Sequence, residues 1–316
     1  MHSVRVHRIA VEAQDICSFE LVDAGGRELP SFSAGSHVDV HLDGGLTRQY
    51  SLCNDPRETH RYLIAVLREP SSRGGSTAMH GLREGQELHI SEPKNHFALA
   101  EATPHHLLMA GGIGITPILS MAERLAAIGA FFELHYCTRS MARTAFADRL
   151  RASGFADRVR FHCDDAPSAQ KLDIPATLAS QPNGTHLYVC GPTGFMDAVL
   201  AGAHAAGWSE SRLHREYFSG AAVDKTGDGA FEVQLASSGA LIRVAADQSI
   251  VAALAAAGVQ VPVSCEQGVC GTCLTRVLEG TPEHRDMYLT AEERARGDQI
   301  MPCCSRARSP RLVLNL

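Results

Sequence analysis

Five of the ten cysteines crowd the C-terminal part of the chain: Cys265, Cys270, Cys273, Cys303 and Cys304. The other five, Cys17, Cys53, Cys137, Cys163 and Cys190, stand singly. In a cytoplasmic protein disulfides are rare, so clustering of this kind points to a metal site rather than a disulfide framework. The segment Cys265-Glu-Gln-Gly-Val-Cys270-Gly-Thr-Cys273 has the spacing C-x4-C-x2-C, and Cys303 offers a fourth thiolate after 29 intervening residues. That is the plant-type [2Fe–2S] ligand pattern. A two-iron cluster needs four deprotonated sulfurs; a tight loop supplies three, and Gly268 and Gly271 let the backbone wrap the group with amides aimed at its sulfides. Structural zinc also accepts four cysteines but favours paired C-x2-C knuckles, and only one such pair is present. Spacing leaves the choice between Cys303 and Cys304 open, since Cys304 also reads as a small buried thiol.

A second chemistry-bearing segment is Gly111-Gly112-Ile-Gly114-Ile-Thr116-Pro117, between the apolar run HHLLMA and the amphipathic run ILSMAERLAAIG. Glycines at a strand-to-helix turn let the backbone approach a pyrophosphate, and a helix N-terminus offers free amides and partial positive charge. Pro117 suits a first helical turn, and Thr116 can cap the helix and donate to a phosphate. The third glycine of G-x-G-x-x-G is absent, and the second strand ends not on an acid but on Cys137-Thr-Arg139-Ser140. Cys190-Gly191-Pro192-Thr-Gly194 follows another apolar strand. Both loops belong at the C-terminal edge of one parallel sheet, where ligands bind.

Two N-terminal segments fit a flavin. Arg48-Gln-Tyr50-Ser51 presents a cation, an aromatic and a hydroxyl at a strand end, and Arg73-Gly74-Gly75-Ser76-Thr77 reads as a phosphate nest before a helix. The alternative is a surface strand and an ordinary loop.

Three stretches with different grammars must position these groups. Residues 1–100 carry short strands (SVRVHRIAVE, HVDVHL, YLIAVL, ELHIS) separated by Asp, Gly and Pro, the pattern of an antiparallel barrel or sandwich with TAMHGL as a helical cap. Residues 101–224 alternate strand and helix, which implies a parallel sheet covered on both faces. The linker-like AAVDKTGDGA leads into 229–316, where two strands, the helix SIVAALAAAG and the cysteine loop make a small α+β unit. A 316-residue chain with 45% hydrophobic and 20% charged residues has room for two or three such domains. Its formal charge of −6 argues against nucleic acid as the partner. With no signal-like apolar segment at the start and no membrane-length run, a soluble cytoplasmic protein is expected. His105 and His106 alternate across a strand and read as ordinary histidines, and AEERARGD as a solvated face.

Taken in order, Arg48-Gln-Tyr-Ser-Leu-Cys-Asn, Arg73-Gly-Gly-Ser76, Gly111-Gly-Ile-Gly-Ile-Thr-Pro117, Cys190-Gly-Pro192, the cysteine loop and Cys303-Cys-Ser-Arg306-Ala resemble the phthalate dioxygenase reductase family, along essentially the whole chain. The resemblance implies a flavin β-barrel, an α/β nicotinamide domain and an α+β (β-grasp) ferredoxin domain. It implies FMN at Arg48, Tyr50 and Ser51, with its phosphate near Arg73, Gly74, Gly75, Ser76 and Thr77. It selects Cys303 as the fourth cluster ligand, sets Cys190 near the nicotinamide and Phe218 by the flavin, and makes Arg139 and Ser140 adenosine-side contacts. NADH is the implied donor, with NADPH the competing one. Nicotinamide gives two electrons at once and a [2Fe–2S] cluster takes one, so the flavin divides the pair. No Rieske C-x-H box is present, so the implied partner is a separate terminal oxygenase, Rieske type, that approaches the ferredoxin rim of a monomeric reductase. The rival readings are a stand-alone reductase of ferric complexes, quinones or a soluble ferredoxin, and a zinc-stabilised nucleotide-binding module that is not an enzyme.

Overall fold

The N-terminal segment folds as two strands, β1 (His2–Ala13) and β2 (Ile16–Asp23), because Asp15 takes a left-handed φ of 63° and turns the chain back. In the computed structural model, which describes residues 1–167, 170–220 and 226–316, the chain divides into two compact units, Met1–Glu216 and Tyr217–Leu316. No helix of the described residues is long and apolar enough to cross a membrane.

The first unit holds two sheets. Strands β3 (Ser36–Leu42), β4 (Leu46–Ser51), β5 (Tyr62–Leu67), β6 (Glu87–Ile90) and β7 (Lys94–Asn95) join β1 and β2 in an antiparallel sheet of order β4-β3-β6-β1-β2-β5, with β7 added to β3. The end strands β4 and β5 approach each other, so the sheet curls into a barrel. Its interior takes every second residue of several strands (Val4 and Val6, Phe19 and Leu21, Val38 and Val40, Ile64 and Val66), as a half-buried pleat dictates. Helix α1 (Gly75–His80) packs against β3, β4 and β5 and buries Met79 completely.

The second sheet is parallel, with order β10-β9-β8-β11-β12: β8 (His105–Gly111), β9 (Phe131–Thr138), β10 (Val159–Cys163), β11 (His186–Cys190) and β12 (Leu213–Glu216). Central β8 is buried from His106 to Gly111, as a strand covered on both faces must be. Helix α2 (Ile115–Ala127) is buried on every side from Ile115 to Ala122, keeps only Leu125 buried after that, and ends before Gly129 at φ 69°. Helices α3 (Ala147–Arg151), α4 (Ile174–Ala179) and α5 (Thr193–Ala205) complete the layers; α3 is shorter than the run AFADRLRASG suggests. One apolar core spans both sheets: Ile16, Cys53, Ala65 and Phe97 join Leu108, Ile118, Tyr136 and Tyr188, and the Ala100 amide donates to the Tyr188 hydroxyl at 2.8 Å.

The second unit is built on β13 (Phe231–Leu235), β14 (Leu241–Val244), β15 (Thr275–Glu279), β17 (Gln299–Ile300) and β19 (Arg311–Leu314), in the order β14-β13-β19-β15-β17. A small ladder joins β16 (Pro282–Glu283) to β18 (Arg306–Ala307). Helix α6 (Ile250–Ala256), capped by Ser249, buries Ile250, Ala253 and Leu254. Helix α7 (Ala291–Arg296) opens on a capping box of Thr290 and Glu293 and buries no residue, as its charge run suggests. Of the expected linker, residues 221–225 lie outside the described residues.

Candidate functional site

Three groups of sequence-marked residues come together locally, two in the first unit and one in the second. At the C-terminal edge of the parallel sheet, Ala110, Cys190 and Glu216 stand side by side on β8, β11 and β12. After β8 a single 3-10 turn, Gly112–Gly114, leads into α2. The loop after β11 packs against it so closely that a methyl group on Gly114 would collide with the Cys190 carbonyl and the Gly191 amide. Glycine is required there by close approach of two backbones, and no other residue fits. Gly111 and Gly191 meet in the same seam, with the Pro192 and Phe195 side chains against Gly111. Thr116 does not cap the helix as its sequence position suggests. Because the 3-10 turn starts the winding earlier, Gly114 is the cap residue, and the buried Thr116 hydroxyl donates to the Ile113 carbonyl at 3.1 Å. Pro117 sits in the first turn, where no intrahelical N–H is missed. Arg139, exposed, and Ser140 follow the end of β9 on the same edge.

The barrel presents its own set to this edge. Arg48 on β4 donates to the Arg73 carbonyl at 2.9 Å and fills the space that a side chain at Gly75 would occupy. That contact fixes the 73–75 turn against the strand. Gly74 takes φ 90° before α1, so Gly75, Ser76 and Thr77 belong to the first turn of the helix rather than to a loop ahead of it. Ser76 Oγ lies 2.9 Å from Ser72 Oγ and accepts the Glu69 amide at 3.1 Å. Tyr50 packs on the barrel core, and burial pushes its hydroxyl well above the ordinary range.

Ser51 donates to Glu216 Oε2 at 3.2 Å across the two sheets of the unit. Burial pushes the Glu216 carboxyl up from 4.5 to about 8, against the lowering effect of the Ser51 hydroxyl. Burial, with Glu216 alongside, also holds the Cys190 thiol well above its usual value. A carboxyl that stays protonated near neutrality, bonded to a serine and next to a thiol, can hold or pass a proton at the mouth of the site. Sequence reading named Ser51 and Cys190 but not the role of Glu216, because β12 is too short and polar to announce itself as a strand. Phe218 lies just beyond, at the start of the second unit, 42% exposed.

In the second unit the cysteine loop winds through left-handed residues, Glu266 (φ 55°), Gly268 (φ 74°) and Gly271 (φ 74°). At Gly271 a side chain would also collide with the Tyr288 ring. No three His, Cys, Asp or Glu side chains among the described residues gather as around a single ion. Cys265 meets Cys270, and Cys303 meets both Cys273 and Cys304. In the first pair the Cys265 S–H draws the Cys270 thiol down to about 5, and Cys265 is raised in turn. In the second, Cys303 lowers Cys273 and is itself raised. The Gln267 amide donates to Cys265 Sγ at 3.3 Å, and Cys270 Sγ lies 3.2 Å from Thr272 Oγ1. Two thiol pairs with N–H···S support fit the donor set of a two-iron cluster. Cys304 meets Cys303 and sits behind the loop, where a methyl on Gly268 would strike its sulfur. Arg306 is buried, donating to the carbonyls of Gln248, Gly229 and Ala245 at 2.8, 2.9 and 3.0 Å, and so anchors the segment that carries both cysteines.

Residues 233–308 match the family model of the 2Fe-2S iron-sulfur cluster binding domain, and residues 91–213 that of the dimethylamine monooxygenase subunit DmmA-like N-terminal domain. The chain is 55% identical to a vanillate O-demethylase oxidoreductase from a Pseudomonas species, over 100% of both chains. It matches the solved structure of phthalate dioxygenase reductase, described as a modular structure for electron transfer from pyridine nucleotides to [2Fe–2S], with a TM-score of 0.77 and 39% identity over 99% of this chain and 97% of that one. An intact type IV self-sufficient cytochrome P450 monooxygenase matches with a TM-score of 0.86 and 40% identity; the match takes in 100% of this chain but 41% of that longer protein.

Proposed function

The chain belongs to the phthalate dioxygenase reductase family, and from that premise we propose that it carries electrons from NADH through FMN to a [2Fe–2S] cluster and on to a separate oxygenase of the Rieske type. It is an NAD(P)H-dependent flavin iron–sulfur oxidoreductase, the reductase component of an oxygenase system. In this reading residues 1–100 form the FMN module, 101–224 the nicotinamide module and 229–316 the cluster module, in a cytoplasmic monomer.

The residues take these roles. Arg48 and the Gly74–Thr77 turn hold the FMN phosphate, with Arg73 beside them; Tyr50 and Ser51 line the flavin ring. The glycine seam of Gly111, Gly112, Gly114, Gly191 and Pro192 admits the dinucleotide, with Thr116 and Pro117 shaping the helix start below it. Arg139 and Ser140 face the adenosine, and Cys190 the nicotinamide. Cys265 and Cys270 hold one iron, Cys273 and Cys303 the other. A bound flavin would supply the conversion of a two-electron hydride into single electrons for the cluster. The chain's part is to orient these groups and to keep a proton on Glu216, in reach of Ser51.

The observation that carries the proposal is the pairing of Cys265 with Cys270 and of Cys273 with Cys303 in a loop wound through left-handed residues. An anaerobic titration with NADH, followed in the visible and by electron paramagnetic resonance, tests it. Bleaching of a red-brown solution and a reduced-cluster signal are expected, with NADPH weaker than NADH in a parallel titration. A pale protein with zinc and no labile sulfide would overturn it.

A further inference from the structure

Asp286 is 3% exposed, its carboxylate fully buried. The Tyr288 and Leu289 amides donate to Oδ2 at 3.2 and 2.8 Å, and the Ser305 hydroxyl to Oδ1 at 3.4 Å. Arg294 lies 3.7 Å from Oδ2 and donates to the Asp286 carbonyl; His284 lies 3.6 Å from Oδ1. The same residue presses on the cysteine loop: a methyl on Gly268 would lie 2.9 Å from its Cα and Cβ and also strike Cys304 Sγ. Next to it the Met287 amide donates to the Gly268 carbonyl at 3.0 Å, and the Tyr288 ring covers Gly271. Residues 286–288 thus form a strap over the loop between Cys265 and Cys273, and Asp286 ties that strap to Ser305, two residues past Cys303.

We propose that Asp286 is a positioning residue of the cluster: it sets the segment of the fourth cysteine against the loop of the other three, and its buried charge lowers the cluster's reduction potential. This rests on the cluster reading above. A buried carboxylate is kept where hydrogen bonds and a partial counter-charge satisfy it, and here three donors and Arg294 do so. Adding an electron beside a fixed negative charge is disfavoured. A tenfold shift of a one-electron equilibrium corresponds to about 59 mV, and at an effective dielectric of about 20 a unit charge within roughly 12 Å is enough to produce it.

The test uses the full-length, cofactor-loaded protein and redox titration of the cluster signal by electron paramagnetic resonance, with iron and labile sulfide measured on each sample. Asp286→Asn keeps an acceptor oxygen and removes the charge; it is expected to move the flavin-to-cluster equilibrium about tenfold toward the reduced cluster. Arg294→Gln removes the opposing charge and is expected to move it the other way, by less because Arg294 is partly exposed. A fully loaded D286N with an unshifted potential overturns the proposal. If D286N takes up no cluster, R294Q decides: a lowered potential supports the proposal, and an unchanged or raised one overturns it. A wild-type protein without iron and sulfide instead removes the cluster reading, and the proposal with it.

Discussion

Replacing Glu216 by glutamine tests the electrostatics of the proposed flavin edge without changing its shape. The amide that E216Q introduces keeps an oxygen to accept the Ser51 hydroxyl but cannot ionise. In the wild type, burial holds the carboxyl at about 8 against an ordinary 4.5. Between those values the folded protein binds a proton that the unfolded chain has released, so stability falls as pH rises across that window. Each pH unit is worth about 1.4 kcal/mol, which caps the effect at ~5 kcal/mol. Glu216 as a residue is only half-buried, and solvent screening reduces the expected loss to ~1–3 kcal/mol between pH 5 and pH 9. Urea unfolding of the two proteins across that range isolates the difference, because every other titrating group is common to both. The wild type and E216Q should match near pH 5, and E216Q should gain on the wild type above pH 6. A difference that stays constant with pH, or a wild type that gains as pH rises, would show that the carboxyl ionises in its ordinary range and refute the reasoning.

Three further outcomes are expected. Cys303→Ser should lose the cluster, read as iron and labile sulfide, whereas Cys304→Ser should retain it, since Cys304 stands behind the loop rather than in a pair with Cys273. Gly114→Ala should lower kcat/KM for NADH on the order of 100-fold while FMN and iron contents hold, because a methyl there forces apart the two turns proposed to admit the dinucleotide. His214, held down to about 4 by burial beside His186, should make the protein lose stability as pH falls from about 6.5, where the unfolded chain begins to take up the proton, toward 4. His214→Gln should flatten that acid limb in thermal melts.

Much of this architecture was legible because its signals are periodic or spaced. The run HHLLMA, apolar after its two histidines, reads as a compact strand, and it is β8. The amphipathic run ILSMAERLAA became α2, and C-x4-C-x2-C became the loop of paired thiols. What could not be read was set by neighbours distant in sequence. Strand β2 after the turn at Asp15 has no signal of its own, since nothing in a polar Gln-Asp pair distinguishes a tight turn from continued alternation. Thr116 looked like a cap until the preceding glycines wound a turn of their own. Strand β12 passed unnoticed because an edge strand beside β11 needs few apolar residues.

The two residues that sequence reading left without a role, Glu216 and Asp286, are both partly or wholly buried carboxyls, and they are handled in opposite ways. Glu216 has a single hydroxyl donor and, among the described residues, no cation within reach of an ion pair, so burial dominates and favours the neutral acid. Asp286 has two amides, a hydroxyl and a guanidinium around it. A lone Glu or Asp carries no motif, and its role is set by donors that the fold brings from elsewhere: Ser51 comes from 165 residues away for Glu216, and Ser305 from 19 residues away for Asp286. The consequence is a division of labour. The neutral acid suits the end of the chain of events where a hydride and a proton must be handled together. The fixed charge suits the end where one electron is held and released, because it sets how readily the cluster gives that electron up.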